Sequence, residues 1–133
     1  MTAVTATAAN LDQTVSSKDI VLVDFWAAWC GPCRGFAPGF EQAAEENPDI
    51  GFAKVDTEAE PELAARFGIM SIPTLMIWRD QVLIYARPGA LPSSELATLI
   101  ERVRGLDMDD VRRQLTEHES SAENRTPMAS PTR

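Results

Sequence analysis

Cys30 and Cys33 are the two cysteines of this chain, and they stand in Trp29-Cys30-Gly31-Pro32-Cys33. If a helix begins there, both sulfurs share one face, with Cα atoms about 5 to 6 Å apart, a separation that a disulfide tolerates. Cys30 then meets the unpaired N–H groups and the positive end of the helix dipole, which favour a thiolate. Cys33, one turn in, is expected to be more buried and to keep its proton. That asymmetry predicts two steps: Cys30 attacks a disulfide, and Cys33 resolves the mixed disulfide. A zinc site needs two further ligands, and the single histidine, His118, cannot complete one, so no metal is expected. Covalent haem attachment needs a histidine where Arg34 stands. Two inert buried thiols are the bland alternative, which the predicted strand before and helix after the pair disfavour.

Asp24 is the second candidate. It interrupts the otherwise apolar run 21–25 and is expected to point inward beneath the helix start. Burial raises the pKa of a carboxyl there, and Lys54 on the adjacent predicted strand draws it back. A carboxyl so poised suits acceptance of the proton that Cys33 loses. The competing reading is an aspartate at a strand end, reaching solvent. Pro73, in Ile72-Pro73-Thr74, opens a predicted strand, where a missing N–H costs nothing. A cis bond at Pro73 would present the preceding backbone to an extended peptide beside the cysteines.

The elements around these residues follow from periodicity. The run 20–23, Ile-Val-Leu-Val, reads as a strand buried on both faces. Residues 32–47 read as a helix with Phe36, Phe40, Ala43 and Ala44 on one stripe, ended by Asn47-Pro48. With a strand over 50–55 they make a right-handed βαβ unit. A short acidic helix is expected over 58–67, stopped by Gly68. Strands over 74–78 and 82–86 pair antiparallel, and a last helix from Pro92 turns Leu96, Leu99, Ile100 and Val103 to the sheet before Gly105. An edge strand over 2–6 and a helix over 10–17 complete the set.

Composition bounds the function classes. The chain has 133 residues, 44% of them hydrophobic, and a net charge of −8, which suits one core and disfavours nucleic acid as a partner. The nine aromatic residues all lie between Phe25 and Tyr85, so the folded unit is assigned to residues 1–104. Residues 105–117 form an amphipathic appendage, with Met108, Val111 and Leu115 on one side and Asp107, Asp109 and Asp110 at its start. Residues 118–133 read as a disordered tail. The polar N-terminus lacks the pattern of a signal peptide and no apolar run suits a membrane span, so a cytoplasmic protein is expected.

Several motifs together resemble the thioredoxin family, in its bacterial form with a C-terminal extension. They are Val23-Asp24-Phe25-Trp26, Trp29-Cys30-Gly31-Pro32-Cys33, Ala37-Pro38, Lys54-Val55-Asp56, Phe67-Gly68-Ile69, Ile72-Pro73-Thr74 and Pro88-Gly89-Ala90. The resemblance covers residues 2–104 and implies an α/β thioredoxin-like fold, a central mixed β-sheet flanked by α-helices. It implies reversible formation of a Cys30–Cys33 disulfide in exchange with disulfide-containing protein substrates. It implies no bound cofactor, electrons from NADPH through a thioredoxin reductase, and a monomer without nucleic-acid or membrane partners. By the same resemblance Cys30, Cys33, Asp24 and Lys54 carry the chemistry, while Trp29, Gly31, Pro32, Ile72, Pro73, Gly89 and Ala90 contact substrate. Trp26 packs under the site, and Pro38 kinks the helix. The Gly-Pro between the cysteines matches the reducing members of the family rather than the oxidising ones.

The chain departs from that pattern at Arg34, Gly35, Gly39 and Pro88, the last expected to narrow partner choice. Asp80-Gln81 lacks the customary hairpin glycine, so a different turn type is expected. A rival reading, from another class, is a binding or holdase module working through the apolar rim and the extension, with redox activity incidental.

Overall fold

The computed structural model describes residues 2–117. Its centre is β2 (Ile20–Trp26), an apolar strand whose first six residues are buried. The chain leaves β2 into α2 (Gly31–Glu46) and returns as β3 (Gly51–Asp56), parallel to β2 with Asp24 opposite Lys54. β1 (Val4–Thr5) adds to the outer edge of β3, and α1 (Leu11–Ser16) links it to β2. Beyond α3 (Pro61–Arg66), β4 (Thr74–Arg79) pairs antiparallel with β2, and β5 (Val82–Pro88) with β4. The sheet order is β1-β3-β2-β4-β5, and α4 (Ser93–Arg104) follows. This is the expected α/β architecture.

Alternation along β2 divides the core. Leu22 faces a cluster with Phe36 and Phe40 of α2 and Leu96 and Ile100 of α4. Val21, Val23 and Phe25 face the opposite cluster, with Leu11 of α1 and Leu63 of α3. Asp24 has the parity of Leu22, so it lies on the α2 side of the sheet with no room to reach water.

Two local expectations need correction. The helix expected over 58–67 starts only at Pro61, because proline has no N–H to give to an earlier turn and suits the first helical position. The preceding residues turn instead on Asp56, whose carboxylate accepts the Glu58 N–H at 2.9 Å. The helix ends as expected: Gly68, at φ 63°, and Ile69 donate to the Ala65 and Ala64 carbonyls, a Schellman closure. In the β4–β5 hairpin both turn residues take positive φ, 52° at Asp80 and 67° at Gln81. That is the type I′ pattern which glycine usually serves, not a departure from it; the twist of the two strands outweighs the local preference.

The two interior glycines of α2, Gly35 and Gly39, have different reasons. At Gly39 a Cβ would meet the Ser93 hydroxyl at 2.7 Å, so this glycine lets α4 approach α2 closely. At Gly35 a Cβ would meet nothing within 4 Å. Gly35→Ala is therefore expected to stabilise the protein by about 1 kcal/mol, read from denaturant midpoints at unchanged slope.

Past α4 the chain forms a further helix over 108–117. Met108 is buried, the Asp107 carboxylate accepts the Asp110 N–H at 3.2 Å, and Arg112 pairs with Asp80 at 3.1 Å. Arg79 Nη1 donates to the carbonyls of Val103 at 2.6 Å and Leu106 at 3.1 Å. These contacts tie the appendage to the tip of the β4–β5 hairpin, although Leu115 stays 42% exposed. The tail expected over 118–133 lies outside the described residues.

Candidate active site

β2 and α2 meet at Cys30, whose backbone is still extended, at φ −88° and ψ 113°, and which occupies the N-cap of α2. Its Sγ accepts the Cys33 N–H at 3.2 Å, a role usually taken by a serine or aspartate oxygen. Pro32 sits in the first turn, where its missing N–H matters least. The two cysteines are joined as a disulfide with Cα atoms 5.2 Å apart, inside the spacing expected from the helix start. Burial separates them less than expected: Cys30 is 4% exposed and Cys33 2%. The cap bond and the dipole, rather than depth, distinguish the outer sulfur.

Asp24 is fully buried, and neither carboxylate oxygen has a hydrogen-bond partner among the described residues. Burial pushes its pKa up to about 7, with the Lys54 ammonium pulling in the opposite direction. Lys54 Nζ lies 4.9 Å from the centroid of the Trp26 ring. Trp26 in turn packs on the cluster of Ala27, Cys30 and Cys33. Carboxyl, ammonium, indole and dithiol thus form one continuous set at the end of β2, through pairs that β2 and β3 bring into register.

The Ile72–Pro73 bond is cis. Cys30 Sγ lies 3.7 Å from the Ile72 carbonyl oxygen, so in its thiol form it can donate there. Gly89, at φ 112°, donates its N–H to the Pro73 carbonyl at 2.8 Å, which brings Gly89 and Ala90 beside the cis bond. Trp29, Gly31, Pro32 and Ile72 line, with Cys30, a groove of about 500 Å³. Pro38 lies inside α2, which continues through it to Glu46. Met70, also in the groove, escaped the sequence reading. Its one signal was a large apolar residue in a loop between a helix-ending glycine and a proline.

A disulfide-linked cysteine pair at a helix N-terminus, beside a cis-proline and at the end of a strand that carries a buried carboxyl, marks the class of the disulfide oxidoreductases. The thioredoxin family model matches residues 2–102. A protein named putative thioredoxin 2 from Streptomyces coelicolor is 58% identical over 113 residues, covering 85% of this chain and 84% of that one. Thioredoxin 1 of Synechococcus elongatus is 42% identical, covering 75% of this chain and 95% of its own. Among solved structures, a mutant thioredoxin from Halobacterium salinarum NRC-1 superposes with a TM-score of 0.73 at 33% identity, covering 78% of this chain and 92% of that one. The chain belongs to the thioredoxin family. It is a protein-disulfide reductase acting by dithiol–disulfide exchange through Cys30-Gly31-Pro32-Cys33. The match to the Streptomyces protein, at 113 residues, is longer than the 104 assigned to the folded unit, so it takes in part of the extension.

Proposed function

We propose that Cys30 is the attacking sulfur and Cys33 the resolving one. The observation that carries this is the Cys33 N–H held on Cys30 Sγ at 3.2 Å, since a donor aimed at that sulfur stabilises its thiolate. The Cys30 thiolate bonds to one sulfur of a substrate disulfide, and the other sulfur leaves and takes a proton. Cys33 then gives up its proton and bonds to Cys30, releasing the second substrate thiol. The substrate has gained two electrons and two protons, and the protein is left as a disulfide. In its carboxylate form Asp24 accepts the Cys33 proton, and Lys54 tunes it; a buried carboxyl with no hydrogen-bond partner among the described residues and a pKa raised to about 7, on the α2 side of β2, supports that role. Trp29, Gly31, Pro32, Ile72, Pro73, Gly89 and Ala90 hold the substrate, and Trp26 and Pro38 support the site.

Re-reduction draws on NADPH through a thioredoxin reductase, and no cofactor is bound by this chain itself. The protein works as a cytoplasmic monomer; a net charge of −8 supports solubility and separation of copies, and no helix among the described residues is long and apolar enough to cross a membrane. Residues 1–104 are the catalytic domain and 105–117 a docked appendage, as the Arg112–Asp80 pair supports. The test is a coupled assay with NADPH, a thioredoxin reductase and insulin. NADPH consumption that requires this chain is the expected result. Reduction of insulin with dithiothreitol but none with NADPH and reductase would assign a different electron donor.

A further inference from the structure

Large apolar side chains left in water carry information when they gather in one place. Among the described residues the two most exposed are Met70, at 96%, and Trp29, at 67%. Both line the groove past Cys30. Met70 also lines a second cavity, of about 210 Å³, on the other side of its loop. Phe67, Met76, Ala86 and Pro88 wall that cavity, the last two reaching it from β5, where they pair with Met76 and Thr74 of β4. Met70 with Ser71 is thus a ridge between the dithiol groove and an apolar pocket. At 96% exposure it adds nothing to the core, so packing does not account for a methionine there.

We propose that Met70 is a specificity-determining residue, and that the cavity behind it receives an apolar side chain of the protein substrate, within two residues of the cysteine that Cys30 attacks. The inference rests on that reading of Cys30. A substrate must lie over Cys30 to react, and Cys30 Sγ is 3.7 Å from the Ile72 carbonyl. An extended segment advances about 3.3 Å per residue, so the neighbours of the attacked cysteine pass along the loop that carries Met70. No charged side chain lines either cavity, in a chain with a net charge of −8. This uncharged strip therefore favours aliphatic or aromatic neighbours over acidic ones. Met70 suits the task because its unbranched thioether adapts to partners of different shape. Pro88, which departs from the family pattern, helps to shape the pocket.

The test uses the full chain and two peptides, each joined through its cysteine to thionitrobenzoate, one with leucine and one with aspartate at the two positions on either side. The parent protein is expected to reduce the leucine peptide with kcat/KM about tenfold higher. Met70→Asn, and independently Ala86→Leu, which fills the cavity from the β5 side, should each bring the ratio to about twofold or less. Met70→Leu should keep the preference. Free dithiobis(nitrobenzoate), which has no peptide to dock, should be reduced by every variant, which shows that the dithiol still reacts. A preference unchanged in both Met70→Asn and Ala86→Leu overturns the proposal, as does a parent protein that shows none. Failure of the reading of Cys30 is distinguishable, because then Cys30→Ser would still reduce the free reagent.

Discussion

Cys30→Ser is expected to lower the reduction of insulin disulfides by about 10³-fold or more, since the one thiol that remains, Cys33, is the sulfur proposed to resolve rather than to attack. Cys33→Ser should fail differently. Its Cys30 still attacks, because the backbone N–H of residue 33 and the helix N-terminus remain to stabilise the thiolate. The mixed disulfide then has no internal thiol to release it. Mass spectrometry under non-reducing conditions should find the Cys33→Ser variant covalently joined to its substrate in equal amounts, with little turnover. Turnover by Cys33→Ser at the parent rate would reject the two-thiol scheme. So would mixed-disulfide accumulation on Cys33 in the Cys30→Ser variant as fast as on Cys30 in Cys33→Ser, because the cap bond would then not decide which sulfur attacks.

The second large effect concerns Asp24 and has a definite sign. Its pKa stands at about 7 in the folded protein against an ordinary 3.8. Between those values the folded state holds a proton that the unfolded state has released, so stability must fall as pH rises through that window. The contribution is present in full below pH 3.8 and is gone above about pH 7; a shift of this size corresponds to about 3–5 kcal/mol. Asp24→Asn cannot ionise. With the disulfide intact, it should be more stable than the parent by a few kcal/mol at pH 8 in guanidinium unfolding, and lose that advantage at pH 4. An advantage of equal size at both values would mean that the carboxyl is not perturbed. The same variant should release substrate from the mixed disulfide about 10²-fold more slowly, with initial attack by Cys30 little changed, in stopped-flow measurements. Equal slowing of both steps would count against a proton acceptor. An acid in the core with no hydrogen-bond partner among the described residues thus weakens the fold at the position proposed to accept the proton.

Much of this site was legible before any coordinates, and for local reasons. The strand run ahead of Cys30 and the stripe of Phe36, Phe40 and Ala44 after it place a helix start at the dithiol. A helix start alone sets the spacing and polarity of two cysteines three residues apart. Asp24 stood out because a charge inside an apolar run is anomalous wherever that run is buried. The errors were also local in kind. Pro61 shortened α3, which propensity over 58–67 did not reveal. At Asp80-Gln81 the pairing of two strands imposed a conformation that the residues themselves do not prefer.

The reactive pair, the order of strands and helices, and the faces that must be buried were all readable from the order of residues, because these depend on periods of two and 3.6 residues and on helix ends a few bonds away. Tertiary structure alone decided what surrounds the pair. It brought the Ile72 carbonyl to Cys30 across 42 positions of sequence, set Lys54 in register with Asp24, and gave Gly39 its reason in the Ser93 hydroxyl. It also left Met70 in water between two cavities. Exposure and contact between distant segments are properties of the packed chain, and no pattern within a single helix or strand contains them.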